Sequence, residues 1–231
     1  MLTAPQNQAQ RLGFLREKIA SAARASGRDP AAITLIGVAK SQPLPRLLEA
    51  VTGGLEDIAD NYLQEAREHI AALSGRALTW HFIGTLQSNK TRPVAELFDW
   101  VHTVDRLKIA ERLSEQRPLD RPPLAVCIQV RLGGEATKSG VDPGELATLA
   151  GKIAALPRLT LRGLMSLPPE EPEIERQRYW FCELRQLMLQ LNDAGHRLNA
   201  LSMGMSADFE SAVACGATHL RIGSALFGAR G

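Results

Sequence analysis

The sequence predicts a (β/α)8 barrel with an additional N-terminal helix, and three observations carry that expectation. Eight short β-like runs are spread over 231 residues, helical patterns fill the gaps, and capping residues separate the two. Period alone does not establish closure, so a doubly wound open sheet is the alternative. No Pro-, Gly- or Ser-rich linker divides the chain, and residues 1–231 read as one domain.

Taken in order, the opening helix places Leu12, Leu15, Ile19 and Ala22 on one face and ends near Gly27. The apolar run 33–40 follows and closes on Lys40. Further runs are expected at 57–60, 78–83, 100–103, 124–130, 161–164, 198–201 and 219–222. Leu63, Ala66, Ile70 and Leu73 share a helical face after the second run. Leu146, Leu149, Ile153 and Leu156 do so after the fifth, entered by Asp142-Pro143 and stopped by Pro157. Trp180, Leu184, Leu187 and Leu191 do so after the sixth, stopped near Gly195.

A chain of this length buries roughly 70 % of its unfolded surface, enough for a core without disulfides. Its 27 Lys+Arg against 25 Asp+Glu argue against a dedicated nucleic-acid or membrane-surface role. Cys127, Cys182 and Cys215 have no metal or redox spacing, and Cys127 and Cys215 read as reduced core residues. No secretion-type leader and no stretch of 18 apolar residues occurs, so a soluble cytoplasmic protein is expected. No long apolar exposed stripe asks for a partner, and a monomer is expected.

In such a barrel, function collects on the loops after the strands, and phosphate often binds after strands 7 and 8. The first run ends in Lys40. Desolvation favours the neutral form of an amine, which can join an aldehyde as a Schiff base; a surface lysine is the plain alternative. The seventh run leads into Ser202-Met203-Gly204-Met205-Ser206, and the eighth into Arg221-Ile222-Gly223-Ser224. Ser206 reads as the N-cap of a short helix through Ala214, a place that favours an anion. Gly204 and Gly223 allow close backbone approach, and Ser202, Ser206 and Ser224 offer hydroxyls. Caps and turn glycines explain the same residues without a ligand. Arg221 within a strand needs a partner, and a structural salt bridge is its alternative. His81, between Trp80 and Phe82, reads as a packed histidine. No metal-binding spacing, P-loop, GxGxxG or GxSxG is present. A strand-1 lysine, a phosphate cradle and a strand-8 arginine together describe a pyridoxal 5'-phosphate (PLP) site.

The stretches LIGVAKSQP (35–43), DNYLQE (60–65), WHFIGTLQSNK (80–90), VHTVDR (101–106), LRGLMSLP (161–168) and the segment 201–230 carry a resemblance. The chain resembles the pyridoxal-phosphate homeostasis proteins (the YggS/PROSC-like group), related to the barrel domain of alanine racemase. The resemblance implies a fold-type III barrel with PLP on Lys40 as a Schiff base, and Arg221 by the pyridine nitrogen. It implies Ser206, Gly223 and Ser224 around the phosphate, Asn61 and His81 near the ring, and Ser202 and Met203 in the same binding set. Two departures stand out: Ala59-Asp60 where the family has Gly-Glu, and Arg131-Leu132-Gly133 where it has Asn-Ile-Ser. Lys138-Ser139-Gly140 fits the pattern.

Arginine stays charged and does not readily protonate a pyridine nitrogen, which weakens the cofactor as an electron sink. The related racemases add a tyrosine acid/base from a second domain; this chain has only Tyr62 and Tyr179, with Tyr179 on the helix after strand 6. The expectation is therefore a PLP carrier in cofactor storage and transfer, with PLP-dependent apoenzymes as recipients and little or no turnover. The alternatives are a PLP-dependent amino-acid racemase and a regulatory binding module. The helix bearing Arg176, Arg178 and Arg185 near Trp180 is a candidate surface for the latter, and equally a solvated face.

Overall fold

A computed structural model describes residues 7–133 and 139–228. The strands are β1 Thr34–Val38, β2 Asp57–Asp60, β3 Thr79–Phe82, β4 Trp100–Val104, β5 Leu124–Gln129, β6 Leu159–Met165, β7 Ala200–Ser202 and β8 His219–Ile222. All pair in parallel with their sequence neighbours, and β1 pairs with β8 through Thr34↔His219 to Gly37↔Ile222, so the barrel closes. The open-sheet alternative is set aside by that one ladder.

The helices are α1 Gln8–Ala25, α2 Leu44–Thr52, α3 Leu63–Ala72, α4 Thr91–Leu97, α5 Leu107–Gln116, α6 Leu146–Ala154, α7 Ile174–Asp193, α8 Phe209–Ala214 and α9 Ser224–Phe227. The side chain of Asn7 caps α1 by accepting from Gln10 N at 2.9 Å, and Gly27, at φ +67°, follows its end. The buried face of α1 is Leu12, Leu15, Ile19 and Ala23, one position round from the expected Ala22. Each buried leucine there contributes roughly 1.5–3 kcal/mol. That face packs against α2, α8 and the four-residue α9, so α1 covers the wall that the short last helix leaves bare.

Outward strand residues such as Ile58, Val101, Val126, Ile128 and Leu164 join the helices in one apolar layer. A second, small cluster of Cys127, Met165 and Ala200, with Trp100 against it, is separate from that layer. Gly163 lets β6 approach β7 closely: a Cβ there would lie 1.8 Å from the carbonyl oxygen of Ala200.

Three expectations need correction. β1 stops at Val38, so Lys40 lies in the turn beyond it. The seventh strand is Ala200–Ser202, because Asn192 on α7 takes both backbone groups of Leu198, at 2.7 and 2.9 Å, away from the ladder. Cys215 is not a reduced core thiol: it is bonded to Cys182 on α7, and Cys127 is the free, buried cysteine.

Candidate functional site

The polar residues singled out from the sequence gather mainly at the C-terminal end of the barrel. Lys40 is half-buried, two residues past β1, with its Nζ 5.2 Å from the centre of the Tyr62 ring. The next residue, Ser41, adopts φ 56°, a left-handed conformation unusual for a side-chain-bearing residue. It is held there by its N–H, which donates to Glu65 Oε2 at 2.8 Å, and by Gln42 N, which donates to Ala39 O. The turn that presents Lys40 is thus fixed from α3.

Ala59 and Asp60 both lie within β2. Ala59 is buried in register with Val38, and Asp60 accepts from His69 at 3.0 Å. That hydrogen bond raises the His69 pKa, while burial raises that of Asp60. Asn61 follows directly, and Gly84 accommodates it: a Cβ at Gly84 would lie 2.0 Å from Asn61 O. A cleft of about 370 Å³ lined by Asn61, Tyr62, Phe82, Thr85, Gln87 and Lys90 opens beside it.

Arg221 is buried, donating from Nη1 to Ser202 Oγ at 2.7 Å and from Nη2 to Ser166 O at 3.0 Å. Burial lowers its pKa to about 10, opposed by Asp208 and Cys127, so it remains a cation at neutral pH. Among the described residues no carboxylate bonds it: its partners there are neutral acceptors.

The loop after β7 differs from its expected form. The helix begins at Phe209 with Asp208 at its cap, and Asp208 Oδ1 accepts from Met205 N at 2.6 Å. Ser206 instead accepts from Ala225 N at 3.1 Å, tying this loop to α9. Gly204, at φ +92°, turns the chain where a Cβ would meet Ala212 Cβ at 2.6 Å. Among the described residues no protein acceptor meets the N–H of Ser206 or Ala207. Ser224 is exposed at the start of α9, beside Gly223. Backbone N–H groups of a glycine-bearing loop, rather than a helix dipole, are therefore what this end offers an anion.

The Ser202 hydroxyl is fully buried between Arg221 and His102 Nδ1, 2.7 Å from each, and Met203 lies in the outer apolar layer. His81 is buried with both ring nitrogens bonded, Nδ1 to His102 Nε2 at 2.9 Å and Nε2 to Asp57 Oδ1 at 3.0 Å. Asp57, His102 and Ser166 were missed from the sequence; the signal that marks them is a polar residue at or just past a β-like run. Arg131 does not leave a loose cation at the mouth, since Asp142 takes it in a fork at 2.6 and 3.2 Å. Lys138 lies outside the described residues.

Among the described residues, buried polar atoms without a protein partner include Asn61 Oδ1 and Ser166 Oγ, just past strands 2 and 6, and Gln42 Oε1 and Asp60 Oδ1, which lie toward His69 on α3. Unpaired buried polar atoms are costly, and Asn61 and Ser166, just past the C-terminal ends of their strands, stand where such barrels hold a polar ligand.

Residues 12–231 match the family described as "Alanine racemase, N-terminal domain". The chain is 53 % identical over 222 residues to the pyridoxal phosphate homeostasis protein of Pseudomonas aeruginosa, covering 96 % of this chain and 95 % of that one. It is 46 % identical over 225 residues to the protein of the same name from Escherichia coli, covering 96 % of each. Among solved structures, PipY of Synechococcus elongatus, with PLP bound, superposes with a TM-score of 0.86 at 36 % identity, covering 96 % of this chain and all of that one. The chain belongs to the pyridoxal phosphate homeostasis protein family, on the alanine racemase N-terminal barrel.

Proposed function

We propose that this protein binds PLP at the C-terminal end of the barrel and serves as a reversible carrier in cellular PLP homeostasis. The observation that carries the reading is the convergence at one mouth of Lys40, the cation Arg221 and the unpartnered polar atoms of Asn61 and Ser166. The cofactor supplies an aldehyde, which amines take up and release reversibly. Lys40 is the residue that would hold that aldehyde through its amine, with water released on capture and taken up on release. Arg221 keeps its proton and donates toward a ring nitrogen rather than protonating it. The N–H groups of Ser206 and Ala207, with Gly223 and Ser224 adjacent, serve the phosphate.

Storage and transfer fit this chain better than turnover. A racemase needs acid/base groups on both faces of its substrate carbon. Tyr62 lies at Lys40 itself, and Tyr179 is exposed on α7 against Trp180. PLP-dependent apoenzymes are the proposed recipients, and the single domain 1–231 in the cytoplasm, as a monomer, is the proposed working form.

The test is an absorbance spectrum of the protein with PLP, for wild type and Lys40→Ala, followed by α-deuterium exchange with D- and L-amino acids. A visible band lost in Lys40→Ala, with negligible exchange, supports a carrier. Rapid exchange on one class of amino acid makes the protein a racemase instead, and a band unchanged in Lys40→Ala removes the lysine from the site.

A further inference from the structure

Below Arg221 the barrel interior is polar, where such interiors are commonly filled by branched apolar side chains. Arg221 Nη1 donates to Ser202 Oγ at 2.7 Å, and Ser202 Oγ lies 2.7 Å from His102 Nδ1. His102 Nε2 is 2.9 Å from His81 Nδ1, and His81 Nε2 is 3.0 Å from Asp57 Oδ1. The members come in turn from β8, β7, β4, β3 and β2. Asp57 is the first residue of β2, so the chain descends from the C-terminal mouth to the opposite end of the barrel. There the Asp57 side chain is 24 % exposed, whereas the members between are buried.

Both ends of this chain are one-way. A guanidinium only donates and an ionised carboxylate only accepts. Burial holds the His102 pKa well below its ordinary value, with His81, His219 and Arg221 adding to that, so His102 is neutral. When each imidazole carries one proton, an unbroken chain has one direction. Arg221 donates to Ser202, Ser202 to His102 Nδ1, His102 Nε2–H to His81 Nδ1, and His81 Nε2–H to Asp57. Every hydrogen points toward the carboxylate. Without that carboxylate, His81 Nε2 meets water, which donates as readily as it accepts. The histidine links can then reverse, and Ser202 receives two donors instead of one.

We propose that Asp57 is a positioning residue for Arg221: acting through His81, His102 and Ser202, it imposes one hydrogen-bond direction across the barrel and thereby fixes the guanidinium at the cofactor seat. Only the last link, from Arg221 to a bound cofactor, rests on the PLP reading above. The carboxylate that accomplishes this lies at the far end of the barrel from Lys40, outside the cluster of site residues at the mouth.

The test is nitrogen NMR of the imidazoles in the full chain, first without cofactor and then with PLP. In the wild type, His102 is expected as one neutral tautomer, with Nε2 protonated and Nδ1 bare. Asp57→Ala is expected to give mixed tautomers at His102, a residue that Asp57 does not touch. Asp57→Glu, which keeps an acceptor-only carboxylate, is expected to restore the single tautomer. Asp57→Ser serves if Asp57→Ala does not fold. A merely structural Asp57 would alter stability and leave the His102 tautomer unmoved. With PLP added, release from Asp57→Ala should be about tenfold faster than from wild type, the weight of one weakened charged hydrogen bond, and release from Asp57→Glu close to wild type. An unchanged His102 in Asp57→Ala overturns the proposal, as does a scrambled tautomer with unchanged release. Failure of the wild type to take up PLP overturns the cofactor reading and the last link with it, while the cofactor-free tautomers still decide the chain from Asp57 to Ser202.

Discussion

Acid should loosen this barrel from inside, and His219 gives the effect a size. His219 opens β8, with its ring 4.9 Å from Trp100 and 6.0 Å from His102, and its Nδ1 lies 2.8 Å from Thr218 Oγ1. Burial lowers its pKa from 6.5 to about 4, with His81, Arg162 and Arg221 adding to the shift and Asp57 opposing it. A histidine whose folded pKa is depressed contributes stability that is present above the unfolded value and is lost as pH falls toward the folded one. Between pH 7 and pH 5 the unfolded chain takes a proton that the folded one refuses, at a cost of about 2 kcal/mol. His102 acts in the same direction. His69 acts in the other: its pKa is raised by Asp60, so its contribution is full below 6.5 and is lost as pH rises. The measurement is therefore a difference. Urea unfolding of cofactor-free wild type and His219→Gln at both pH values should show the wild type losing about 2 kcal/mol more on acidification. Equal losses in the two proteins would refute the buried, neutral imidazole on which the argument stands.

Three other outcomes are expected. Gly163→Ala places a methyl 1.8 Å from Ala200 O and must part β6 from β7, which should cost at least about 2 kcal/mol in the same unfolding assay. Thiol titration of the unfolded, unreduced chain should count one reactive group, Cys127, and Cys182→Ser should lower stability by about 3–4 kcal/mol, the entropy of opening a 33-residue loop; three reactive thiols would contradict the pairing. Arg131→Ala removes a fork to an Asp142 side chain that is 54 % exposed, and its effect on stability should stay within about 1 kcal/mol, detectable mainly at low salt.

What the sequence disclosed and what it withheld divide along a physical line. Lys40 and Arg221 were legible because each is a charged group in or beside an apolar run, and a charge there needs a reason that local packing does not supply. The strands were legible to within a few residues, since each is a short apolar run bounded by turns. The helices α2 and α5 were not picked out, although they are as long as α3 and α6, whose apolar faces were read. Ser206 was misplaced as a cap because the helix begins only at Phe209, and the Ser206 hydroxyl accepts from Ala225 N while Asp208 holds the loop through Met205 N. Cys215 was misread because its apolar neighbours say nothing of Cys182, which meets it only when α7 lies along α8. The interior chain was the least legible feature of all. Its links join residues 24, 21, 100 and 19 positions apart, and no periodicity connects such separations. His81 between two aromatics was rightly read as satisfied, yet what satisfies it is an imidazole and a carboxylate on neighbouring strands. Only closure of β1 on β8 turns those inward positions toward one another, so the barrel's chemistry below the mouth is a property of its topology before it is a property of any motif.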